Sequence, residues 1–458
     1  MLERSKMADL IIDSNLSLNT NTALMVEIFN NHAPRIREID LRGLVASFLS
    51  LILENVQPSS LNLRSLRLST SQLEHHDWTD DDYDPQAGFP VFPAHLLGQP
   101  DSLRRLHIVH CAFDLYAQPR PQLTHLLMDR PRDRPLLSEF ATALSGMPAL
   151  ESLEMVQSLP LATEAVKLDV KVELPKLSFL YLSSTKNPFE VLNVIDFLIV
   201  PWTARIEIFN GESTSQSNDT VISDIIRPLS LFFSCMTGNV KRRSYNQLRL
   251  YDSGHRLGLS AWRIEQPHSS TTDQADLQLT LNFANYRSAS SVEETLRCLP
   301  LSDLQTLIID ISFGQSTIYS FFGQSTTIKT VELQFNTIVY NFLQVLTHKP
   351  EGYEHLESSY YSVTFPALQS LIFNQTVFNT WKPILDCLME RYERGAELQK
   401  LSFRSCYDMN HERIRDLREI VPDVEWDEVL RNEEYDYEDY DNYCDYSSGS
   451  DMYDLDYL

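Results

Sequence analysis

The chain has 458 residues and a formal net charge of −25, from 38 Lys and Arg against 63 Asp and Glu. Hydrophobic residues make up 43% and charged residues 22% of the chain, and these shares exclude wholesale disorder. The acidic excess excludes general binding to nucleic acid or anionic membranes outside a local basic patch. The six cysteines form no Cys-x-x-Cys pair, and the N-terminus shows no signal-peptide pattern, so we expect a cytoplasmic or nuclear protein.

A repeated apolar pattern runs along most of the chain. Its unit is Leu-x-x-Leu-x-Leu, with Ile, Val, Met or Phe as substitutes, and the units that open at Leu123, Leu150 and Leu177 are 27 residues apart. That spacing is typical of the long leucine-rich repeat, whose unit is a strand followed by a helix. An ordinary buried core explains any single unit, but not a series of units that share one order of strand, turn and helix. The units open at Ile36, Leu63, Leu103, Leu123, Leu150, Leu177, Leu304, Ile328, Leu368 and Leu398, with weaker units around Ile206 and Leu248.

Helical apolar patterns fill the gaps between the predicted strands. A small polar residue such as Cys111, Ser158 or Cys406 also follows the last apolar position of a unit by three residues. We expect its short side chain to bond the backbone where the strand turns. These patterns predict an α/β leucine-rich-repeat solenoid, a horseshoe with a parallel sheet on the concave face and helices on the convex face. The predicted helices span 22–32, 44–56, 137–147, 189–199 and 381–393.

Breaks in the repeat spacing indicate where insertions and a tail interrupt or end the repeats. We predict a leucine-rich-repeat domain over 1–426, with insertions near 72–95, 211–244 and 254–283. The last insertion alternates apolar and polar residues in two stretches, which predicts two antiparallel strands. Residues 427–458 hold twelve acidic residues, seven Tyr and one Arg, and predict a disordered acidic tail.

The sequence lacks the common motifs of catalysis and cofactor binding. It contains no Gly-x-x-x-x-Gly-Lys-Ser/Thr or Gly-x-Gly-x-x-Gly phosphate loop, no His-Glu-x-x-His metal motif and no Gly-x-Ser-x-Gly nucleophile elbow. His75 and His76, beside a run of Asp residues, have the donor atoms that zinc requires. Adjacent side chains diverge in an extended chain, however, and a solvated acidic loop is the commoner outcome. We therefore predict no catalytic residues, no cofactor and no metal.

A basic stripe is expected on the concave face of the predicted sheet. Residues between the Leu positions point to that face, because neighbouring side chains of a strand alternate. Parallel strands about 4.8 Å apart bring such residues into a contiguous row. The alternatives are an ordinary solvated face and a docking site for an acidic or phosphorylated peptide, with Arg as the bidentate partner. The predicted protein-binding residues are Arg64, Arg67, Arg104, Arg105, His107, His125, Phe179 and Tyr181.

Strands of the form Pro-x-Leu-x-x-Leu-x-Leu over most of the chain, followed by a Tyr-rich acidic tail, resemble the fungal F-box-type leucine-rich-repeat proteins of mushroom-forming fungi. The telling stretches are MPALESLEM, LPKLSFLYLSSTKNPFEVLNVIDFLIVPWTARIEIFNG and FPALQSLIFNQT. In that family an N-terminal F-box docks on the adaptor subunit of a cullin-type ubiquitin ligase, and the repeats are taken to hold a substrate. Here the first repeat-like strand begins within ten residues of Met1. We therefore expect the chain to bind the adaptor only if an F-box is restored upstream.

The sequence thus favours a non-catalytic protein–protein interaction scaffold that binds neither nucleic acid nor membrane. The resemblance implies a role as the substrate-recognition part of a ubiquitin-ligase receptor. The alternative is an enzyme regulator, such as a GTPase-activating leucine-rich-repeat protein, which supplies a catalytic Arg or orients the groups of the GTPase. No loop Arg with a distinctive setting marks that alternative in the sequence.

Overall fold

The computed structural model describes two compact units. The first takes residues from Met1–Arg243, Thr272–Asn285 and Glu294–Pro300, and the second from Ser244–Thr271, Tyr286–Glu293 and Leu301–Leu458. The predicted acidic tail beyond 428 and the predicted loops over 71–89 and 211–219 lie outside the described residues. The described residues are 8–15, 22–55, 62–70, 90–92, 102–113, 120–131, 133–161, 168, 170–185, 187–210, 220–236, 244–252, 256–263, 275–281, 289–311, 314–334, 336–347, 363–378 and 381–428.

Strands and helices alternate along most of the chain, as the repeat pattern predicts. The strands are β1 (Leu10–Asn15), β2 (Ile36–Leu44), β3 (Ser65–Thr70), β4 (Val91–Phe92), β5 (Arg105–Val109), β6 (Ala112–Phe113), β7 (His125–Asp129), β8 (Ser152–Val156), β9 (Val172–Glu173), β10 (Phe179–Ser184), β11 (Leu198–Ile199), β12 (Arg205–Asn210), β13 (Gln247–Asp252), β14 (Leu257–Trp262), β15 (Leu277–Leu281), β16 (Thr306–Asp310), β17 (Thr330–Gln334), β18 (Ser370–Asn374), β19 (Lys400–Arg404) and β20 (Asp423–Trp426).

The helices confirm the five helical segments predicted from the sequence to within a few residues at each end. A short 3-10 turn at Ala33–Arg35 and a π-helical turn at Tyr319–Gly323 accompany them. The helices are α1 (Thr22–His32), α2 (Ala46–Asn55), α3 (Leu137–Ser145), α4 (Pro188–Phe197), α5 (Thr220–Cys235), α6 (Ala289–Arg297), α7 (Gln315–Ile318), α8 (Asn336–Thr347), α9 (Lys382–Glu393) and α10 (His411–Arg418).

The first unit is built on a parallel sheet. Its described strands lie in the order β1-β2-β3-β5-β7-β8-β10-β12-β15, and neighbouring strands are parallel. Two short parallel pairs, β4 with β6 and β9 with β11, lie apart from this sheet. Parallel neighbours require a crossover connection between them, and the helices supply several of these connections. The α/β class and the parallel pairing predicted from the sequence are therefore confirmed for this unit.

The second unit has a mostly parallel sheet. Its described strands lie in the order β14-β13-β16-β17-β18-β19-β20. β13 and β14 are antiparallel, and the other neighbouring pairs are parallel. The sequence predicted that the stretches of β14 and β15 are strands, and both are. Within its own unit, β14 pairs with β13 and β15 pairs with β12.

The pairing register places equivalent positions of successive repeats side by side. In the first unit the second apolar position of each repeat forms one ladder, and every member is 3% exposed or less. Burial of such a side chain contributes roughly 1.5–3 kcal/mol, so the ladder anchors the core. The members are Ile39, Leu66, Leu106, Leu126, Leu153, Leu180, Ile206 and Leu277. The second unit repeats this arrangement with Leu248, Leu307, Val331, Leu371, Leu401 and Val424.

Helix starts use local capping that the sequence provides. The Asn187 side chain accepts a hydrogen bond of 2.9 Å from the Phe189 N–H at the start of α4, and Pro188 occupies the first helical turn. The Asn410 side chain caps α10 in the same way through the Arg413 N–H, at 2.9 Å. Each side chain satisfies an N–H group that has no partner within the helix. Helix α4 packs against β10 and β12, which covers the buried side of the sheet.

A small buried side chain marks the turn after several strands. Cys111, Ser158, Thr376 and Cys406 are at most 1% exposed. Their side chains donate to backbone carbonyls, as expected from the sequence; for example, the Ser158 hydroxyl donates to the Met128 carbonyl at 2.9 Å. Only a short side chain fits this position while it bonds the backbone.

The residue before each of these small side chains has a left-handed backbone. The φ angle is 52° at His110, 48° at Gln157, 52° at Gln375 and 48° at Ser405. This conformation aims the N–H group at the next strand: the Gln157 N–H donates to the Ser183 carbonyl at 2.8 Å and the Gln375 N–H to the Arg404 carbonyl at 2.9 Å. The turn thus ties each repeat to its successor at the cost of an unfavourable backbone conformation.

Burial makes the structural cysteines unreactive. It raises the pKa of the Cys111 and Cys387 thiols to about 12 and that of Cys406 to about 11. Because the thiolate is the nucleophile, we expect iodoacetamide to alkylate the exposed Cys235 of the native protein and to leave these three thiols intact. Peptide mass spectrometry after labelling with and without denaturant measures this difference. Rapid native labelling of Cys406 would contradict it.

A buried arginine holds a turn of the second unit in place. Arg391 of α9 is 1% exposed, and its guanidinium donates to the carbonyls of Thr364, Phe365 and Ala396 at 2.8, 3.2 and 3.0 Å. Phe365 has a left-handed backbone, with φ of 50°, and its N–H donates to the Gly323 carbonyl. The guanidinium therefore stabilises the turn at Thr364 and Phe365, shortly before β18.

We expect Arg391→Met to lower the free energy of unfolding by about 2–4 kcal/mol, because it removes three hydrogen bonds and leaves the buried Thr364 carbonyl without the donor that the guanidinium supplies. Urea unfolding followed by tryptophan fluorescence measures the change, with Trp381 and Trp426 as probes in the same unit. Arg394→Met, at the exposed end of the same helix, is the matched control and should change stability by less than about 1 kcal/mol. Equal effects of the two substitutions would refute the role of Arg391.

Candidate functional site

One side of the first unit's sheet is open. Residues of β3, β5 and β7 alternate between buried and partly exposed positions. The buried positions are the apolar ladder, so the partly exposed residues share the other side of the sheet. We call this side the open face. Its residues occupy fixed rows, because the parallel strands pair in register.

Four of the six basic residues of the predicted stripe lie on the open face, namely Arg67, Arg105, His107 and His125. Arg67 of β3 pairs with His107 of β5, and Arg105 of β5 pairs with His125 of β7. Arg64 and Arg104 lie just before β3 and β5, and the Arg104 N–H donates to the Arg64 carbonyl at 2.8 Å. Phe179 and Tyr181, on β10, lie on the same face three strands beyond β5.

Not every arginine of the stripe is available to a ligand. The Arg67 Nε lies 4.0 Å from an Asp40 carboxylate oxygen, and Arg42 binds the same oxygen at 2.9 Å. Arg64, Arg104 and Arg105 are exposed, and among the described residues none of them forms an ion pair. We call these three residues the arginine patch. They carry three positive charges that no described residue compensates, within two neighbouring repeats.

The two histidines of the stripe add no charge near neutral pH. Burial, together with the nearby Arg67 and Arg42, lowers the pKa of His107 to about 4. Burial and Arg105 also lower the pKa of His125, against a smaller opposing effect of Glu151. The positive character predicted for the stripe therefore resides in the arginines alone.

The aromatic residues of the site lie beside charged groups. The Arg205 guanidinium lies over the Phe179 ring, 5.5 Å from its centre, and pairs with the Glu207 carboxylate. Tyr181 lies in the row between Glu154 and Glu207. Glu154 accepts a hydrogen bond of 3.1 Å from the Ser152 hydroxyl, and burial raises its pKa.

Sequence reasoning missed Arg205 and Glu207. They belong to the repeat in which the apolar signal is weakest, around Ile206 and Ile208. The register with Phe179 and Tyr181 places both residues on the open face. The alternation of apolar and polar residues around Ile206 and Ile208 would have predicted both residues on that face, as it does in the neighbouring repeats.

On the corresponding face of the second unit, the charged side chains pair with one another. Arg249 donates to the Asp310 carboxylate at 2.8 Å. Glu332, 5% exposed, accepts from the Asn374 amide at 3.2 Å and lies 3.9 Å from Arg404. Since these charges compensate one another, the candidate site belongs to the first unit.

The part of the chain that the structure describes holds no cluster of three or more His, Cys, Asp or Glu side chains arranged to bind a metal ion. The predicted His75–His76 loop lies outside that part. No described helix is both long and apolar enough to cross a bilayer. Comparison with protein-family models and with curated proteins found no match for this chain.

The depressed pKa of His107 makes stability depend on pH. The unfolded chain takes up this proton near pH 6.5 and the folded chain only near pH 4, so acidification through this window favours the unfolded state. We expect the wild type to lose about 1–2 kcal/mol more than His107→Gln between pH 7 and pH 5. Urea unfolding at the two pH values measures this difference.

The pKa of His110 is also lowered and that of the half-buried Asp129 is raised, but wild type and His107→Gln share both residues. The comparison therefore isolates His107. His32→Gln, which removes a histidine outside the sheet, should keep the wild-type pH dependence. The assignment fails if the curves of wild type and His107→Gln are parallel.

Proposed function

We propose that the protein is a non-catalytic scaffold that binds an acidic or phosphorylated peptide on the open face of its first unit. In this proposal the in-register repeats form a leucine-rich-repeat solenoid, whose exposed strand residues present the ligand site. One observation carries the proposal: the arginine patch is exposed and forms no ion pair with any described residue, in a chain of net charge −25.

The chemistry of the patch supports an anionic ligand. A guanidinium offers a planar set of donors that binds carboxylate or phosphate oxygens in pairs. Neighbouring strands lie about 4.8 Å apart, so Arg64 and Arg104, at equivalent positions before β3 and β5, are close enough to bind one anionic group, and Arg105 follows at the edge of the open face.

The resemblance to F-box-type proteins extends the proposal to substrate recognition for a ubiquitin ligase. In that role the open face holds the substrate, and the arginine patch selects an acidic or phosphorylated segment of it. The neutral state of His107 and His125 supports a phosphate or carboxylate site that keeps its charge through the neutral pH range.

The test is the double substitution Arg104→Glu, Arg105→Glu. Two fluorescent probes are used, a phosphoserine peptide and an Asp/Glu-rich peptide, and affinity is measured by anisotropy at low and high salt. We expect the double variant to bind at least about tenfold more weakly, because each lost charge-assisted contact contributes about 1 kcal/mol or more.

The matched control is Arg415→Glu, an exposed arginine on α10 of the second unit. It changes the net charge in the same direction without touching the open face and should retain the wild-type affinity. Circular dichroism shows whether the variants remain folded. Equal binding by wild type and double variant, or no binding of either probe to the wild type, would end the proposal.

A further inference from the structure

The open face is electrostatically bipolar. The arginine patch lies at β3 and β5, whereas carboxylates dominate further along the same face. Glu151 precedes β8, Glu154 lies on β8 and Glu207 lies on β12. The row Glu154–Tyr181–Glu207 is fixed by the pairing of β8, β10 and β12. A ligand that crosses these strands meets positive charge first and negative charge afterwards.

The two carboxylates of that row are not equivalent. Glu207 already has a cation, because it pairs with Arg205. Glu154 is half-buried, and among the described residues its hydrogen-bond donor is the Ser152 hydroxyl and no cation pairs with it. Partial burial without a counter-charge destabilises a carboxylate, so an added cation at Glu154 is favourable.

Aromatic rings complete the surroundings of Glu154. Tyr181 is its direct neighbour in the row, and Phe179 lies two residues earlier on the same strand. The Arg205 guanidinium over the Phe179 ring shows that this part of the face accommodates a cation on an aromatic surface. A Lys or Arg side chain can thus combine an ion pair with Glu154 and a cation–π contact with Tyr181.

We propose that the open face binds an extended peptide that places an acidic or phosphorylated side chain on the arginine patch and a Lys or Arg side chain between Glu154 and Tyr181. The inference rests on the proposed function. It adds that the ligand carries a positive side chain and specifies how far that side chain lies from the acidic or phosphorylated one. The occupant is one peptide segment with opposite charges at its two contact points.

The sheet sets the distance between those charges. The point midway between Glu154 and Tyr181 lies about two and a half strand steps from Arg105 and two residues further along the strands, which corresponds to about 14 Å. An extended peptide advances ~3.4 Å per residue, so this distance corresponds to about four residues. Side chains at even spacing lie on the same side of an extended peptide. A spacing of four therefore directs both charged side chains at the face, whereas a spacing of three directs one of them away.

The experiment uses phosphoserine peptides of identical composition that differ only in the position of one Lys. In the first peptide the Lys is about four residues from the phosphoserine, and in the isomers it is one or three residues away. We expect the full chain to bind the first peptide about threefold to tenfold more tightly than its isomers. Fluorescence anisotropy at one salt concentration measures the three affinities.

Substitutions locate the effect on the protein. Glu154→Gln should abolish the preference for the first peptide over its isomers. Glu173→Gln, an exposed carboxylate on β9, is the matched control and should retain the preference. Glu154→Lys should reverse the preference towards a peptide with Glu in place of the Lys.

The outcomes separate this inference from the proposed function. If all three isomers bind with the same affinity, the inference is overturned and anionic recognition stands. If none of them binds, the proposed function and the inference fail together. Because the peptide series is measured on the wild-type chain, it decides the question even if a Glu154 variant fails to fold.

Discussion

The register of strand pairing is the constraint on which the rest of this structure depends. Each strand pairs with its neighbour so that equivalent apolar positions coincide, from Ile39 through Leu66 and onward across the first unit. A slip of one residue would turn the leucines out of the core and is therefore strongly disfavoured. The same register aligns the residues between the leucines, so charged residues that are distant in sequence become neighbours on the open face.

Much of this organisation could be predicted from the sequence, because periodic burial leaves a periodic pattern. The strands of the repeats and the common face of Arg67, Arg105, His107 and His125 follow from the leucine spacing, and the helical patterns between the strands predicted five of the helices. The short strand β20 escaped prediction, since its four residues Asp423–Trp426 contain one buried apolar position, Val424. The antiparallel pairing of β13 with β14 also escaped, because a strand's own pattern does not encode the direction of its partner.

The electrostatic state of the site was the least predictable feature. A stripe of Arg and His reads as uniformly basic, but charge depends on neighbours and burial. Asp40 lies in the preceding repeat and partly neutralises Arg67, and burial keeps His107 neutral. These effects arise between strands, so they become visible only when the register is known. The two units differ in this respect. On the sheet of the second unit the described charges pair with one another, whereas the arginine patch of the first unit stays exposed.

The left-handed residues at the repeat turns have a consequence for how this fold can change. His110, Gln157, Gln375 and Ser405 each adopt a conformation that costs a side-chain-bearing residue roughly 1–2 kcal/mol and costs glycine almost nothing. The chain has only 13 glycines and uses other residues at these turns. Summed over several turns, that strain approaches the net stability of a small domain. The repeat turns therefore hold stability that a glycine at these positions would release. Such substitutions can compensate for destabilising changes on the binding surface, so the surface can diversify while the scaffold persists.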